Sequence, residues 1–208
     1  MARWEPDARG RLAVAALDLF EERGYDDTTV ADIAERAGVT ARTFFRHFPD
    51  KKEVLFSGSD RLQEGLVAAA EDAARTGGAL DAVAATLDVA AELLGADRDF
   101  SRRRHAVVSA NAELRERELI KMSRIADGLA AALGRQGIPT ADARLAAESG
   151  IAVLRVSFEQ WVAARRGPAL AALMRTNLGR LTDLAAAAAG AAPGADPRRH
   201  GRPGAGTR

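Results

Sequence analysis

Apolar residues recur at three- and four-residue intervals along most of the chain, and nowhere do they alternate with polar ones over the length of a strand. The pattern predicts an all-α protein. Leu12, Ala13, Ala16, Leu17 and Phe20 form one apolar stripe, so a first helix is expected from about Pro6 to Arg23, closed by Gly24. A second should begin after Thr28 or Thr29, whose hydroxyls suit an N-cap, with Asp32 favouring that end of the dipole. It buries Val30, Ile33, Ala34 and Ala37 until Gly38 breaks it. A third starts with Thr40 as N-cap and ends near His47, ahead of Pro49; Phe44 and Phe48, four apart, share its inner face.

Asp50 is placed to cap a fourth helix, expected from Lys51 to about Arg75 and carrying Val54, Leu55, Leu62, Leu66 and Ala69. Further helices are expected over about 80–94, 99–109, 112–135, 141–166 and 168–189, with breaks at Gly95, near Asn111, at Gly137-Ile138-Pro139 and at Gly167-Pro168. From Ala191 onward Gly, Pro, Ala and Arg follow without apolar periodicity, which predicts a disordered tail, basic through Arg198, Arg199, Arg202 and Arg208. The expected division is 1–52, 53–190 and the tail 191–208.

Composition narrows the function. At 47% hydrophobic and 28% charged residues, 208 residues can bury a real core. Charges interrupt every apolar run, so no membrane span is expected, and Glu5, Asp7, Arg9 and Arg11 break any signal-peptide core. A cytoplasmic location is the expectation. Cysteine is absent, which excludes disulfides, thiolate nucleophiles and Cys-based metal sites. No HExxH, GxGxxG after a strand, GxxxxGK[ST] or GxSxG occurs, and His47, His105 and His200 lie far apart. Neither an enzyme, a metal site nor a cofactor is expected. The formal net charge of +1 argues against binding nucleic acid or an anionic membrane by bulk charge, yet Arg36, Arg42, Arg46, Lys51 and Lys52 cluster locally against the single acid Asp50.

The informative stretch is Thr28–Lys52, TTVADIAERAGVTARTFFRHFPDKK. Two short helices joined by a tight Gly-containing turn specify a helix-turn-helix. Ala34 and Ala37 permit close packing, while Val39 and Phe44 pin the second helix by burial, leaving its other face free to enter a major groove. Over roughly residues 10–56 the pattern Thr-Thr-Val-x-x-Ile-Ala-x-x-Ala-Gly-Val-Thr-x-x-Thr-Phe-Phe-x-x-Phe-x-x-Lys resembles the TetR family of transcriptional regulators. The resemblance implies an all-helical Ω-shaped homodimer with a DNA-binding N-terminal domain and a C-terminal domain for a small-molecule effector. It implies a repressor released from a palindromic operator; an activator on the same fold, or a non-catalytic helical interaction module, is the alternative.

Carried over from the family, Thr29 and Thr40 cap their helices and offer hydroxyls or N–H groups to phosphates. Ala41 and Arg42 lie where base edges are reached, Thr43, Phe45 and His47 face phosphates, Arg46 adds positive charge, and Lys51 is the phosphate-binding lysine. Phe45 departs from the family's tyrosine and lacks its hydroxyl, which leaves only an apolar contact to a sugar or a thymine methyl. Arg3, Arg9 and Arg11 form an N-terminal arm that touches phosphates or is merely solvated.

The segment Phe100–Leu133 is similar to an acyl-CoA-responsive, mycofactocin-regulator-like subgroup of the family. Arg102, Arg103 and Arg104 form a cationic cluster suited to an anionic ligand such as a CoA phosphate, or else a solvated helix end. His105, Asn111, Phe158 and Trp161 are the candidates to line an apolar pocket. The last two long helices carry apolar faces, Val153, Leu154, Val156, Phe158 and Trp161 on one, and Leu170, Leu173, Met174, Leu178, Leu181 and Leu184 on the other. They are expected to pair with a second subunit, the alternative being intramolecular core alone. The predicted fourth helix, joining both domains, is the expected lever between effector and operator.

Overall fold

The computed structural model describes residues 8–164 and 166–190, with side chains through Ala188. The predicted tail, the start of the first helix at Pro6, and the arm residue Arg3 lie outside the described residues. Among those described there are α-helices but no strands. The helices are α1 (Ala8–Arg23), α2 (Val30–Arg36), α3 (Ala41–His47), α4 (Ser59–Ala74), α5 (Ala79–Gly95), α6 (Arg98–Ala110), α7 (Ala112–Arg135), α8 (Thr140–Ala163) and α9 (Leu170–Gly190). A 3-10 turn, η1 (Lys52–Phe56), lies between α3 and α4. None of these helices is long and apolar enough to cross a membrane.

Local chemistry sets the boundaries near the N-terminus. Thr29 closes a capping box: its Oγ1 accepts from the Asp32 amide at 3.2 Å, and its own amide donates to Asp32 Oδ2 at 2.8 Å. Thr40 Oγ1 accepts from the Thr43 amide at 3.2 Å. Gly38, at φ 69°, ends α2 in a Schellman turn, with Gly38 N donating to Glu35 O and Val39 N to Ala34 O. A side chain at that φ would be strained, so the tight turn between α2 and α3 requires glycine.

The predicted fourth helix divides in two. Asp50 Oδ1 accepts from the Glu53 amide at 3.0 Å, but the segment it caps is only η1. The turn at Ser57-Gly58 follows, and α4 begins with no side-chain cap. At the other end of the chain, α8 stops at Ala163, short of the expected Arg166, where Ala164 turns extended.

Two apolar cores form. The first gathers Leu12, Leu17 and Phe20 of α1, Ile33 of α2, Phe44 of α3, Phe48, and Val54, Leu55 and Phe56 of η1, and takes in Val108 of α6 and Leu114 of α7. Since η1 supplies this core, the expected boundary at 52/53 falls at the start of an element whose apolar side chains belong to the N-terminal unit. The second core gathers α4, α5, α7, α8 and α9 around Leu66, Leu87, Ile125, Leu133, Leu154 and Met174.

Phe44 is fully buried whereas its neighbour Phe45 is 57% exposed. Phe44→Ala is expected to lower the unfolding free energy by about 3–5 kcal/mol. Phe45→Ala should change it by no more than about 0.5 kcal/mol. Urea unfolding measures both; equal losses would contradict this division of inner and outer faces.

Candidate nucleic-acid interface

Only Phe44 of α3 is buried, its ring meeting that of Phe48 at 5.5 Å. That anchor fixes the rotation of the helix. Ala41, Arg42, Phe45 and Arg46 are left on the outside, and among the described residues neither the Arg42 nor the Arg46 side chain has a hydrogen bond or an ion pair. Phe45 is held edge-on against Phe44, at 5.5 Å between centroids and 81° between planes. The result is a short rigid helix presenting two unneutralised guanidinium groups around an exposed aromatic ring.

The neighbouring candidates are more occupied. The Thr29 hydroxyl donates to Asp32 Oδ2 at 2.5 Å, so its proton serves the cap. Thr40 and Thr43 stand with hydroxyl oxygens 3.1 Å apart, Thr43 half-buried. His47 is half-buried, and its Nε2 is enclosed without a hydrogen-bond partner. Lys51, expected to reach a phosphate, is turned inward: Nζ donates to Tyr25 O at 2.5 Å and to Thr28 O at 2.9 Å and lies 4.1 Å from the centre of the Tyr25 ring. It thus clamps the turn between α1 and α2 against the end of α3. Burial, with Glu113, Asp50 and Asp26 nearby, pushes the Tyr25 hydroxyl up to about 12, so that ring stays neutral beneath the ammonium.

In the C-terminal part, consecutive positions on α6 send Arg102, Arg103 and Arg104 in different directions. Arg102 pairs with Asp99 at 2.6 Å, while Arg103 reaches Asp18 and Glu21 of α1, each at 2.5 Å. Arg104 donates to Leu55 O at 2.7 Å and pairs with Glu118 at 3.0 Å. The expected cationic cluster is therefore not a single anion site, because each guanidinium has partners of its own. Asn111 Oδ1 accepts from the Leu114 amide and so caps α7. His105, Phe158 and Trp161 do come together, as a row with centroids 5.8 Å and 6.0 Å apart. Arg98, absent from the sequence candidates, lies 5.1 Å above Trp161 and donates to Trp161 O and Ala164 O at the end of α8.

The cavity in the second core, of about 10 Å³, lies elsewhere, among Ala70, Ala82, Val83, Thr86, Leu129 and Gly150. None of the ligand candidates lines it. Of the apolar faces expected to pair between subunits, Val153, Leu154, Trp161, Leu170 and Met174 are already buried within the protomer, while Val156 and Leu184 are exposed.

Residues 12–57 match the family described as bacterial regulatory proteins, tetR family. The regulator TcmR of Streptomyces glaucescens is 46% identical over 63 residues, 30% of this chain and 28% of TcmR. The activator FasR of Mycolicibacterium smegmatis is 36% identical over 70 residues, 34% of this chain and 32% of FasR. The match thus spans about a third or less of these curated relatives. Among solved structures, FadR from Bacillus subtilis in complex with stearoyl-CoA superposes with a TM-score of 0.59 at 22% identity, covering 83% of this chain and 96% of FadR, a likeness of fold.

Residues 12–57 thus carry the tetR-family pattern, and beyond them the likeness is one of fold.

Sequence reasoning missed the ionic contacts between the helix-turn-helix unit and α6–α7. Lys52 pairs with Glu113 at 2.7 Å. Glu53 pairs with Arg117 at 2.5 Å and Lys121 at 3.0 Å. The available signal was the four-residue spacing of Glu113, Arg117 and Lys121 along α7. Burial pushes the Glu53 carboxyl up, but hydrogen bonds from Arg117 and Lys121 outweigh it and hold the group below the ordinary glutamate value.

Near pH 4, therefore, the unfolded chain binds more protons at Glu53 than the folded one does. The stability contributed is complete above the ordinary value and is lost as pH falls through the depressed one. Glu53→Gln should flatten the acid limb of a urea-unfolding series run from about pH 3 to pH 7. An acid limb identical to that of the unaltered protein would remove Glu53 from the account.

Proposed function

We propose that this protein is a homodimeric DNA-binding transcriptional regulator that represses from a palindromic operator and is released by a small-molecule effector carrying an apolar chain, acyl-CoA-like in chemistry. The observation that carries the reading is the outer face of α3, where Arg42 and Arg46 stand without internal partners on a helix fixed by Phe44. A guanidinium so placed matches the O6 and N7 acceptors of guanine. Two such helices, one turn of DNA or a multiple apart, read a palindrome. Repression needs only occupancy of the operator. FasR is named an activator, so the sign is tested directly, by in vitro transcription from the bound promoter.

The second subunit is drawn to α8 and α9, where Val156 and Leu184 are exposed beside half-buried Leu173, Leu178 and Leu181. The effector's seat is the small-residue region around the cavity of about 10 Å³, room for roughly one water. A ligand needs at least about 300 Å³, so entry must separate the helices around it. Effector binding then favours a conformation distinct from the closed one, by population shift. Stearoyl-CoA bound to FadR supports an acyl chain as the class of ligand. Acyl-CoAs should displace the protein from its operator, and failure to do so at saturating concentration would remove this part of the proposal.

Selection of bound sequences from random DNA tests the central reading and should return a palindrome. Arg42→Ala should then cost about 1–3 kcal/mol on that operator and relax one base position. Equal losses on operator and random DNA would defeat base readout by Arg42.

Phe45, exposed between Arg42 and Arg46, should contact a thymine methyl or a sugar. Replacing single thymines by deoxyuridine should weaken binding at one position in each half-site. Phe45→Ala should abolish that difference, while uniform tolerance of deoxyuridine would assign the ring to the sugar.

A further inference from the structure

We infer that Glu53 is a positioning residue, through which one face of α7 holds the recognition helix at a fixed attitude. The role rests on the DNA-binding reading above. Between α3 and α4, the chain meets α6 and α7 at almost every step. Lys52 Nζ donates to Glu113, the Glu53 carboxylate accepts from Arg117 Nε and pairs with Lys121 Nζ, and Leu55 O accepts from Arg104. The Phe56 ring lies beneath Arg104 at 4.9 Å and Lys121 at 5.8 Å. Glu113, Arg117 and Lys121 are spaced four apart, so they share one face of α7.

The covalent route is weaker. Ser57-Gly58 interrupts helical structure between η1 and α4. Lys121 bridges that interruption, donating to Ser59 Oγ at 2.9 Å while paired with Glu53. The side chains of Glu53 and Lys121 are only 13% and 10% exposed, which shields the pair from solvent screening. Within the helix-turn-helix unit, Lys51 ties the same segment to Tyr25 O and Thr28 O. Any movement of α7 is thus passed to η1 and, through the Lys51 clamp, to α3. The lever expected in the fourth helix is placed instead on α7, with Glu53 as its contact.

Two measurements on the full-length protein test this. The first is amide hydrogen exchange of residues 52–57 without DNA. The second is binding to the selected palindrome, to the same half-sites moved one base pair closer or further, and to an isolated half-site.

Glu53→Gln should speed exchange across η1 by about tenfold. It should weaken binding at the selected spacing by about tenfold and leave the isolated half-site unaffected, so that the spacing preference flattens. Arg117→Gln, which keeps the Glu53–Lys121 pair, should act in the same direction with smaller effect, and it decides the matter if Glu53→Gln fails to fold. Arg124→Gln, at an exposed position of the same helix, should change none of these readings.

Unchanged exchange in the folded variants, or equal losses on half-site and palindrome, would overturn the inference. If the unaltered protein selects no palindrome, the DNA-binding reading fails first and the positioning role falls with it.

Discussion

A helix of seven residues does not persist alone in water, because the cost of nucleating it exceeds what two turns return. Both α2 and α3 are of that length, so the candidate interface depends on burial outside the helices themselves. Phe44 supplies the decisive contact. Its ring enters the core formed by α1, α2 and η1, and that single insertion determines which residues of α3 face outward. Arg42, Phe45 and Arg46 are exposed as a consequence of where Phe44 goes. The threonine caps and the left-handed Gly38 set the ends of these helices; the aromatic anchor sets their orientation.

Features governed by near neighbours were legible in the sequence. Thr29 and Thr40 announce helix starts because their side chains bond to amides three residues ahead, and Gly38 announces a stop because few other residues adopt its backbone angles. The inner position of Phe44 and Phe48 follows from helical periodicity. The end of α3 and the start of the next segment were equally local, but the Ser57-Gly58 interruption carries no signal strong enough to distinguish a short 3-10 turn from the first turn of a long helix.

What stayed hidden depends on distance along the chain. Arg103 meets Asp18 across 85 residues and Arg117 meets Glu53 across 64. A run of three arginines therefore looked like one site, although successive residues on a helix point about 100° apart. Lys51 posed the same difficulty. Its position suggested an outward contact, and only the folded chain shows the carbonyls of Tyr25 and Thr28 directly beneath it. His105, Phe158 and Trp161 were named, with Asn111, only as candidates to line a pocket; that three of them form a row beside Arg98 at the end of α8 was not foreseen.

That last arrangement gives the protein a built-in optical gauge. Trp161 is one of two tryptophans in the chain, and it is sealed between Phe158 and the guanidinium of Arg98 where α6 crosses α8. A cation so near the indole shifts its excited state, so the emission wavelength of this residue registers how tightly the two helices are closed. With Trp4 replaced by phenylalanine, the separation of α6 from α8 can be followed in real time without an added dye.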